Sequence, residues 1–343
     1  MKNVLITGGA GFIGSAFVER IFATQPDTHL TVLDALTYAG SVDNISRVIQ
    51  ASDRFDFIHA SINDAAVVRE AVEGADQVVH FAAETHVARS LESDRVFFET
   101  DVLGTQCLAN AIVRHGPQVE RIVHVSTSEV YGTSVDRGLM DEDHALNPTS
   151  PYAAAKAGAD RLIYSYVETY ELPAVIVRPF NNYGRQQHLE KAVPRFITSA
   201  LLGEPLRVHG KGDAARDWIY VDDTVRGIEL AMTHDLATVQ GEVFNLGTGL
   251  DTSILDLAER VLAMSGDTSS EIEFMEDRIG QVVRHAADVQ KSAEVLGFTA
   301  DMALDDGLAQ TYQWYVDHPE WWKPKVAARE VEVQLPGGRV VRY

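Results

Sequence analysis

The segment Val4-Leu-Ile-Thr-Gly-Gly-Ala-Gly-Phe-Ile-Gly14 constrains this chain more than any other. A short apolar run passes straight into glycines and then into residues 15–22, which have helical spacing. Glycines at 8, 11 and 14 permit a tight turn, close approach of the backbone to a ligand, and close packing of the helix on the strand. A helix that starts there points its unpaired N–H groups into the turn, which suits a phosphate. Asp34 ends the next apolar run, 20 residues beyond Gly14. A carboxylate in that place accepts from ribose hydroxyls and repels a 2′-phosphate, so the pattern points to NAD and away from NADP.

Further along, short apolar runs at 30–34, 55–59, 77–81, 121–126 and 174–178 alternate with helical patterns at 65–72, 96–115 and 152–170. Strands that are apolar on both faces and separated by helices belong to a parallel sheet covered on both sides. Right-handed crossovers then give a doubly wound parallel sheet of the Rossmann type. After Arg178 the chain is broken by Pro179, Gly184, Pro194, Gly203, Pro205, Gly210 and Gly212, the texture of a smaller mixed α/β lobe. A helix at 221–232 and a strand at 243–246 return to the sheet. The expected division is a dinucleotide unit of residues 1–180 with 217–247 returning to it, and an interleaved C-terminal substrate lobe of 181–216 and 248–323. The tail, 324–343, is expected either to be mobile or to pack on a neighbour.

The 343 residues carry a formal charge of −21 and are 45% hydrophobic. Such a chain can bury a core, and its acidity argues against a nucleic-acid partner. Cys107 is the single cysteine, so no intrachain disulfide forms. The absence of a membrane-length apolar run and of a signal-like N-terminus makes a cytoplasmic location the expectation. The histidines lack metal-ligand spacing, and no metal is expected.

Two constellations carry chemistry. In Ser150-Pro-Tyr152-Ala-Ala-Ala-Lys156, Ser150 suits a helix N-cap and Pro151 its first turn. Tyr152 and Lys156 then share a face, and a nearby ammonium is expected to favour the phenolate, making Tyr152 a candidate base toward a sugar hydroxyl. The run at 121–126 ends in Ser126-Thr-Ser-Glu-Val-Tyr-Gly132, at the strand end that faces the ligand crevice of such a sheet. Thr127 and Ser128 offer hydroxyls there, and Glu129 offers a carboxylate able to move a proton on or off carbon.

These motifs resemble those of extended short-chain dehydrogenases/reductases acting on nucleotide sugars, the NAD-dependent epimerase/dehydratase family, and most of all its dTDP-glucose 4,6-dehydratase group. The likeness runs from residue 1 to about 322. It rests on Thr7-Gly-Gly-Ala-Gly-Phe-Ile-Gly-Ser15, Leu33-Asp-Ala-Leu-Thr-Tyr-Ala-Gly40, His80-Phe-Ala-Ala-Glu-Thr-His-Val-Ala-Arg-Ser90, the Tyr152/Lys156 segment, Asn181-Asn-Tyr-Gly184, His188-Leu-Glu-Lys191, Arg216-Asp-Trp-Ile-Tyr-Val221, Asp277-Arg278 and the Trp-rich stretch 314–322. The resemblance implies oxidation of a hexose at C4, removal of the C5 proton, loss of water from C6 and return of the hydride to C6. Tyr152 is then the base, Thr127 holds the 4-hydroxyl, Glu129 takes the C5 proton, and Lys156 holds the nicotinamide ribose. NAD lies against Gly8, Gly11, Phe12, Ile13, Gly14, Asp34, Thr37, Ala39, Gly40, Ile62, Ala82, Ala83, Tyr152 and Lys156. His86, Asn181, Lys191, Arg216, Asn245 and Arg278 are the substrate-side candidates. The helices at 96–115 and 152–170 are expected to pair with a second copy as a four-helix dimer interface.

The match departs from the group at Ser128, where an Asp that protonates the C6 hydroxyl is usual; a serine hydroxyl alone is a poor general acid. Three readings stay open. Glu129 could shuttle the proton itself, as the similar Thr-Ser-Glu of GDP-mannose 4,6-dehydratases suggests. The reaction could be loss of carbon dioxide, since UDP-glucuronate decarboxylases share this run. It could also stop at the 4-keto stage, giving a 4-epimerase. Dehydration is favoured because the downstream motifs follow the dehydratases. Asp101, where Asn is usual, is a second departure. A non-catalytic NAD-binding protein would be expected to lack Tyr152, Lys156 or Glu129, and all three are present.

Overall fold

The computed structural model describes residues 2–134, 138–266, 270–277, 282–334 and 338–342. Its strands are β1 (Lys2–Thr7), β2 (Thr28–Asp34), β3 (Phe55–His59), β4 (Gln77–His80), β5 (Arg121–Val125), β6 (Ala174–Pro179), β7 (Asn181–Tyr183), β8 (Leu206–His209), β9 (Ala215–Tyr220), β10 (Val243–Leu246), β11 (Asp251–Ser253), β12 (Ile272–Met275), β13 (Glu332–Gln334) and β14 (Val340–Arg342). Seven form one sheet in the order β10-β6-β5-β4-β1-β2-β3, every neighbouring pair parallel. This is the doubly wound fold, and its order reverses between β1 and β4.

Period-two alternation assigns the strand side chains to two layers. Val4, Ile6, Val32, Val79, Val123 and Val177 pack on Phe17 and Ile21 of helix Phe12–Thr24 and Ile228 of helix Val221–Thr233. Leu5, Leu33, Val78, Ile122 and Ile176 face the other way, onto Val68 of helix Ala65–Glu73, Leu108 and Ile112 of helix Thr105–His115, and Ile163 of helix Pro151–Tyr170. Each such fully buried aliphatic contributes roughly 1.5–3 kcal/mol of transfer free energy. Residues of both layers come from one strand, which is why the strands read as unbroken apolar runs.

The long helix expected at 96–115 is interrupted. Asp94–Phe97 is α-helical, Phe98–Gly104 widens to π-helical spacing, and α-helix resumes over Thr105–His115. The Thr105 hydroxyl donates to the Asp101 carbonyl at 2.5 Å within the widened turn. The apolar spacing of the segment does not reveal this, because a single inserted residue shifts the face by less than a third of a turn.

The smaller lobe carries the three-stranded sheet β11-β9-β7 and the parallel pair β12-β8. Helices Ala192–Leu201, Ile254–Ser265 and Leu304–Asp317 surround a core of Phe196, Trp218, Leu257, Tyr315 and Trp322. β9 runs to Tyr220 in this lobe's sheet, and helix Val221–Thr233 then packs on the main sheet. The tail carries a strand pair of its own. Its β13-β14 hairpin packs on its own chain: Val333 is buried against Ala88 of helix Val87–Glu92 and against Val331.

Candidate active site

A cavity of about 470 Å³ opens at the carboxyl ends of the strands beside the switch point. One end is built by the glycine turn. Gly8 has φ +71°, and a Cβ there would meet the Ala82 backbone nitrogen at 2.5 Å. A Cβ on Gly14 would collide with the Gly8 carbonyl oxygen. Gly11 is the N-cap of helix Phe12–Thr24; no side chain caps it, and its first turn holds no acidic residue. The N–H groups there suit an anion. Asp34 accepts from the backbone N–H of Ala10 (2.9 Å) and Leu36 (2.8 Å), which aims its carboxylate at the same end. A dinucleotide fits this donor set. Thr37, Ala39, Gly40, Ile62, Ala82 and Ala83 line the wall with Phe12 and Ile13, so every residue expected beside the cofactor borders one cavity.

The other end gathers the reactive groups. Thr127, Ser128, Glu129, Tyr152 and Lys156 all line it. Thr127 caps the short helical turn Ser128–Tyr131, its Oγ1 accepting the Glu129 N–H at 3.3 Å. Ser150 caps helix Pro151–Tyr170 by accepting the Ala153 N–H, with Pro151 in the first turn. The electrostatics expected of Tyr152 and Lys156 are corrected by the structure. Burial pushes the Tyr152 phenol above its ordinary value, the Asp101 and Glu129 carboxylates push it further, and only a hydrogen bond with Thr127 opposes them. The Lys156 ammonium, buried beside the half-buried Tyr152, donates to the Val125 carbonyl at 2.9 Å. Burial depresses it, against the support of Asp101 and Asp160. Losing water costs a phenolate more than this engaged ammonium returns.

Between the two ends and the smaller lobe, His86, Asn181, Lys191 and Arg216 border the cavity. His86 caps helix Val87–Glu92, accepting the Arg89 N–H at 3.3 Å. Lys191 donates to the Thr85 carbonyl at 2.8 Å. Asn181 keeps a buried Oδ1 with no hydrogen-bond partner among the described residues. Arg216 donates to the Ala215 carbonyl at 2.9 Å; burial works against its charge and Glu129 supports it. Asn245 does not reach the cavity. It is fully buried, accepts the Tyr131 hydroxyl at 2.8 Å and donates to the Met140 carbonyl at 2.9 Å, so its polar atoms are spent inside the protein. Arg278 lies outside the described residues.

The cavity also borders residues that sequence reasoning passed over. Arg195 is buried at its edge, its guanidinium without a hydrogen bond or ion pair among the described residues. It lies four residues beyond Lys191, and that i, i+4 cation pair was the available signal. Arg207, Gln187 and Trp218 come to the wall from separate strands and loops, with no local signature.

A family model described as GDP-mannose 4,6 dehydratase matches residues 5–311. The chain belongs to that family. A dTDP-glucose 4,6-dehydratase of Streptomyces griseus is 43% identical over 95% of this chain and 98% of its own. The low-salt glycan biosynthesis protein Agl12 of Haloferax volcanii is 42% identical over 93% of this chain and 100% of its own. Among solved structures, DesIV of Streptomyces venezuelae, a dTDP-glucose 4,6-dehydratase crystallised with NAD, superposes with a TM-score of 0.89 at 42% identity, covering 94% of this chain and 99% of that one. Membership of the GDP-mannose 4,6-dehydratase family thus extends across both lobes and the whole cavity wall.

Proposed function

We propose that this chain is an NAD-dependent nucleotide-sugar 4,6-dehydratase, a hydro-lyase that makes a nucleotide 4-keto-6-deoxy sugar. The observation that carries the reading is the joining of a dinucleotide cradle to Thr127, Glu129, Tyr152 and Lys156 in one cavity. Bound NAD supplies a hydride acceptor and donor, and a positive charge. Residues of this chain do the rest. Thr127 and Tyr152 grip the 4-hydroxyl, and Tyr152 takes its proton, helped by any positive charge that offsets the cost of burying a phenolate. Once C4 is a ketone the C5 proton is acidic, and Glu129, half-buried on its turn, removes it. Lys156 and the Val125 carbonyl hold the ribose side of the site. Arg216, Arg195 and Lys191 suit a diphosphate, and Asn181 and His86 suit the sugar hydroxyls.

The dinucleotide unit comprises residues 1–180 with the returning helix and strand, and the nucleotide-sugar lobe comprises the rest to 323. The protein works in the cytoplasm as a homodimer, paired through helices 94–115 and 151–170 as a four-helix bundle. Exposed Phe98, Leu103 and Tyr164 on those helices support that pairing.

The test is mass spectrometry after incubation with dTDP-glucose, UDP-glucose, UDP-N-acetylglucosamine, GDP-mannose and UDP-glucuronate, each alone. Loss of one water from a substrate is the expected result and names the nucleotide. Ser128 gives a decarboxylase and a 4-epimerase a claim on the same site. Loss of carbon dioxide from UDP-glucuronate, or an inverted sugar of unchanged mass, would replace the dehydratase reading with one of these.

A further inference from the structure

Behind the Ser128–Tyr131 turn lies a histidine that the reaction above does not use. His285 is fully buried, and its ring is held on both sides. Its Nε2 is 2.5 Å from the Gly132 carbonyl, which can only accept, so Nε2 carries a proton. Nδ1 is therefore the nitrogen free to gain and lose one. It lies 3.5 Å from Ser128 Oγ and 3.9 Å from Glu129 Oε1. The backbone fixes this position: His285 N–H donates to the Ala215 carbonyl at 3.0 Å, and Met140 N–H to the Ala286 carbonyl at 2.9 Å. Ser128 borders the cavity and His285 does not.

We propose that Ser128 and His285 deliver the proton to the departing C6 hydroxyl, with Ser128 touching the substrate and His285 linking Ser128 to Glu129. The inference rests on the dehydratase reading. Glu129 takes the C5 proton; the C5–H electron pair becomes the C5–C6 double bond as the C6–O bond breaks. The departing oxygen takes the hydroxyl proton of Ser128 and leaves as water. Glu129 passes the C5 proton to Nδ1 of His285, and the imidazolium so formed gives that Nδ1 proton to Ser128 as the Ser128 proton departs. All three groups end as they began. The proton that Tyr152 took from the 4-hydroxyl balances the one C5 receives when the hydride reaches C6.

The charged and titratable groups around His285 are consistent with brief protonation. Burial, Arg216 and His144 disfavour the imidazolium, while Glu129 and the Gly132 carbonyl favour it. A proton placed on Nδ1 is thus readily passed to Ser128, whose hydroxyl alone is a poor acid.

The experiment compares wild type, His285→Phe and His285→Phe with Ser128→Asp, using dTDP-glucose and the other four nucleotide sugars in D₂O. Water loss is followed by mass and C5 deuteration of recovered substrate by NMR. Phenylalanine keeps the ring volume beside Phe180. The expected result is that His285→Phe lowers water release at least 100-fold yet retains C5 exchange, and that the added Ser128→Asp, a carboxylic acid in place, restores water release to within tenfold of wild type. Water release within threefold of wild type in His285→Phe would overturn the relay. So would equal loss of exchange and elimination without rescue, which is a structural effect. If His285→Phe does not fold, Ser128→Ala must show the same split between exchange and elimination, and near-normal water release there overturns the relay as well. No water release by wild type from any of the five sugars would instead overturn the dehydratase reading, and the relay with it.

Discussion

Asp101 sits 1% exposed in the π-helical turn, where its Oδ1 accepts the Glu84 N–H at 2.8 Å and its Oδ2 has no partner among the described residues. Burial pushes its carboxyl up to about 7, against the pull of Lys156. The folded state therefore holds this proton more tightly than the unfolded one, whose carboxyl titrates near 3.8. Its contribution to stability is full below that lower value, declines as pH rises toward 7, and is gone above it. Asp101→Asn cannot ionise and should abolish this slope. Between pH 5 and pH 8 the wild type should lose about 2–3 kcal/mol that the variant keeps, at 1.36 kcal/mol per unit, as read by urea unfolding at each pH. Parallel unfolding curves for the two proteins would refute it. Sequence spacing placed Tyr152 and Lys156 on one face. It could not show that Asp101, three elements away, raises the one and steadies the other.

At the scale of elements, helix Pro151–Tyr170 is tied to β6 by a buried bidentate pair. Arg178 Nε and Nη2 donate to the two oxygens of Asp160 at 2.9 and 3.0 Å. Arg178 Nη1 also donates to the Tyr131 hydroxyl at 2.9 Å, which in turn donates to Asn245. This chain of bonds is why Asn245, which reads from sequence as a substrate contact, is structural. Arg178→Ala strips Asp160 of its buried bidentate partner and leaves it only the half-exposed Arg161 as an ion-pair partner, and should cost about 3 kcal/mol in chemical denaturation. A loss below 1 kcal/mol would mean water reaches the pair. The elements themselves were legible because alternation and helical spacing leave periodic marks; β3 and β10 match the expected limits residue for residue. The π-helical turn and the tail hairpin were not, since both depend on what packs against them.

For the whole molecule, the exposed apolar residues Phe98, Leu103 and Tyr164 sit on helices that cover one face of the sheet. With a formal charge of −21 the surface repels non-specific neighbours, so a self-complementary apolar patch has to provide any pairing. Leu103→Glu should shift the protein from dimer to monomer in sedimentation velocity at micromolar concentration. A wild type that sediments as a monomer, or a variant that stays dimeric, would refute the four-helix interface.

By itself the sequence determined the doubly wound sheet, the NAD-type glycine turn with Asp34, and the Ser150 to Lys156 helix start. These are local: a strand, turn and helix in succession leave their residue types side by side in the chain. Only the tertiary structure decided that Arg195 joins the cavity, that Asn245 leaves it, and that His285 stands 157 residues from Ser128 yet within 3.5 Å of its hydroxyl. The physical reason is that burial and charge act through space. Desolvation of Tyr152, Lys156 and Asp101 is set by which layers close over them, and no spacing along the chain records that.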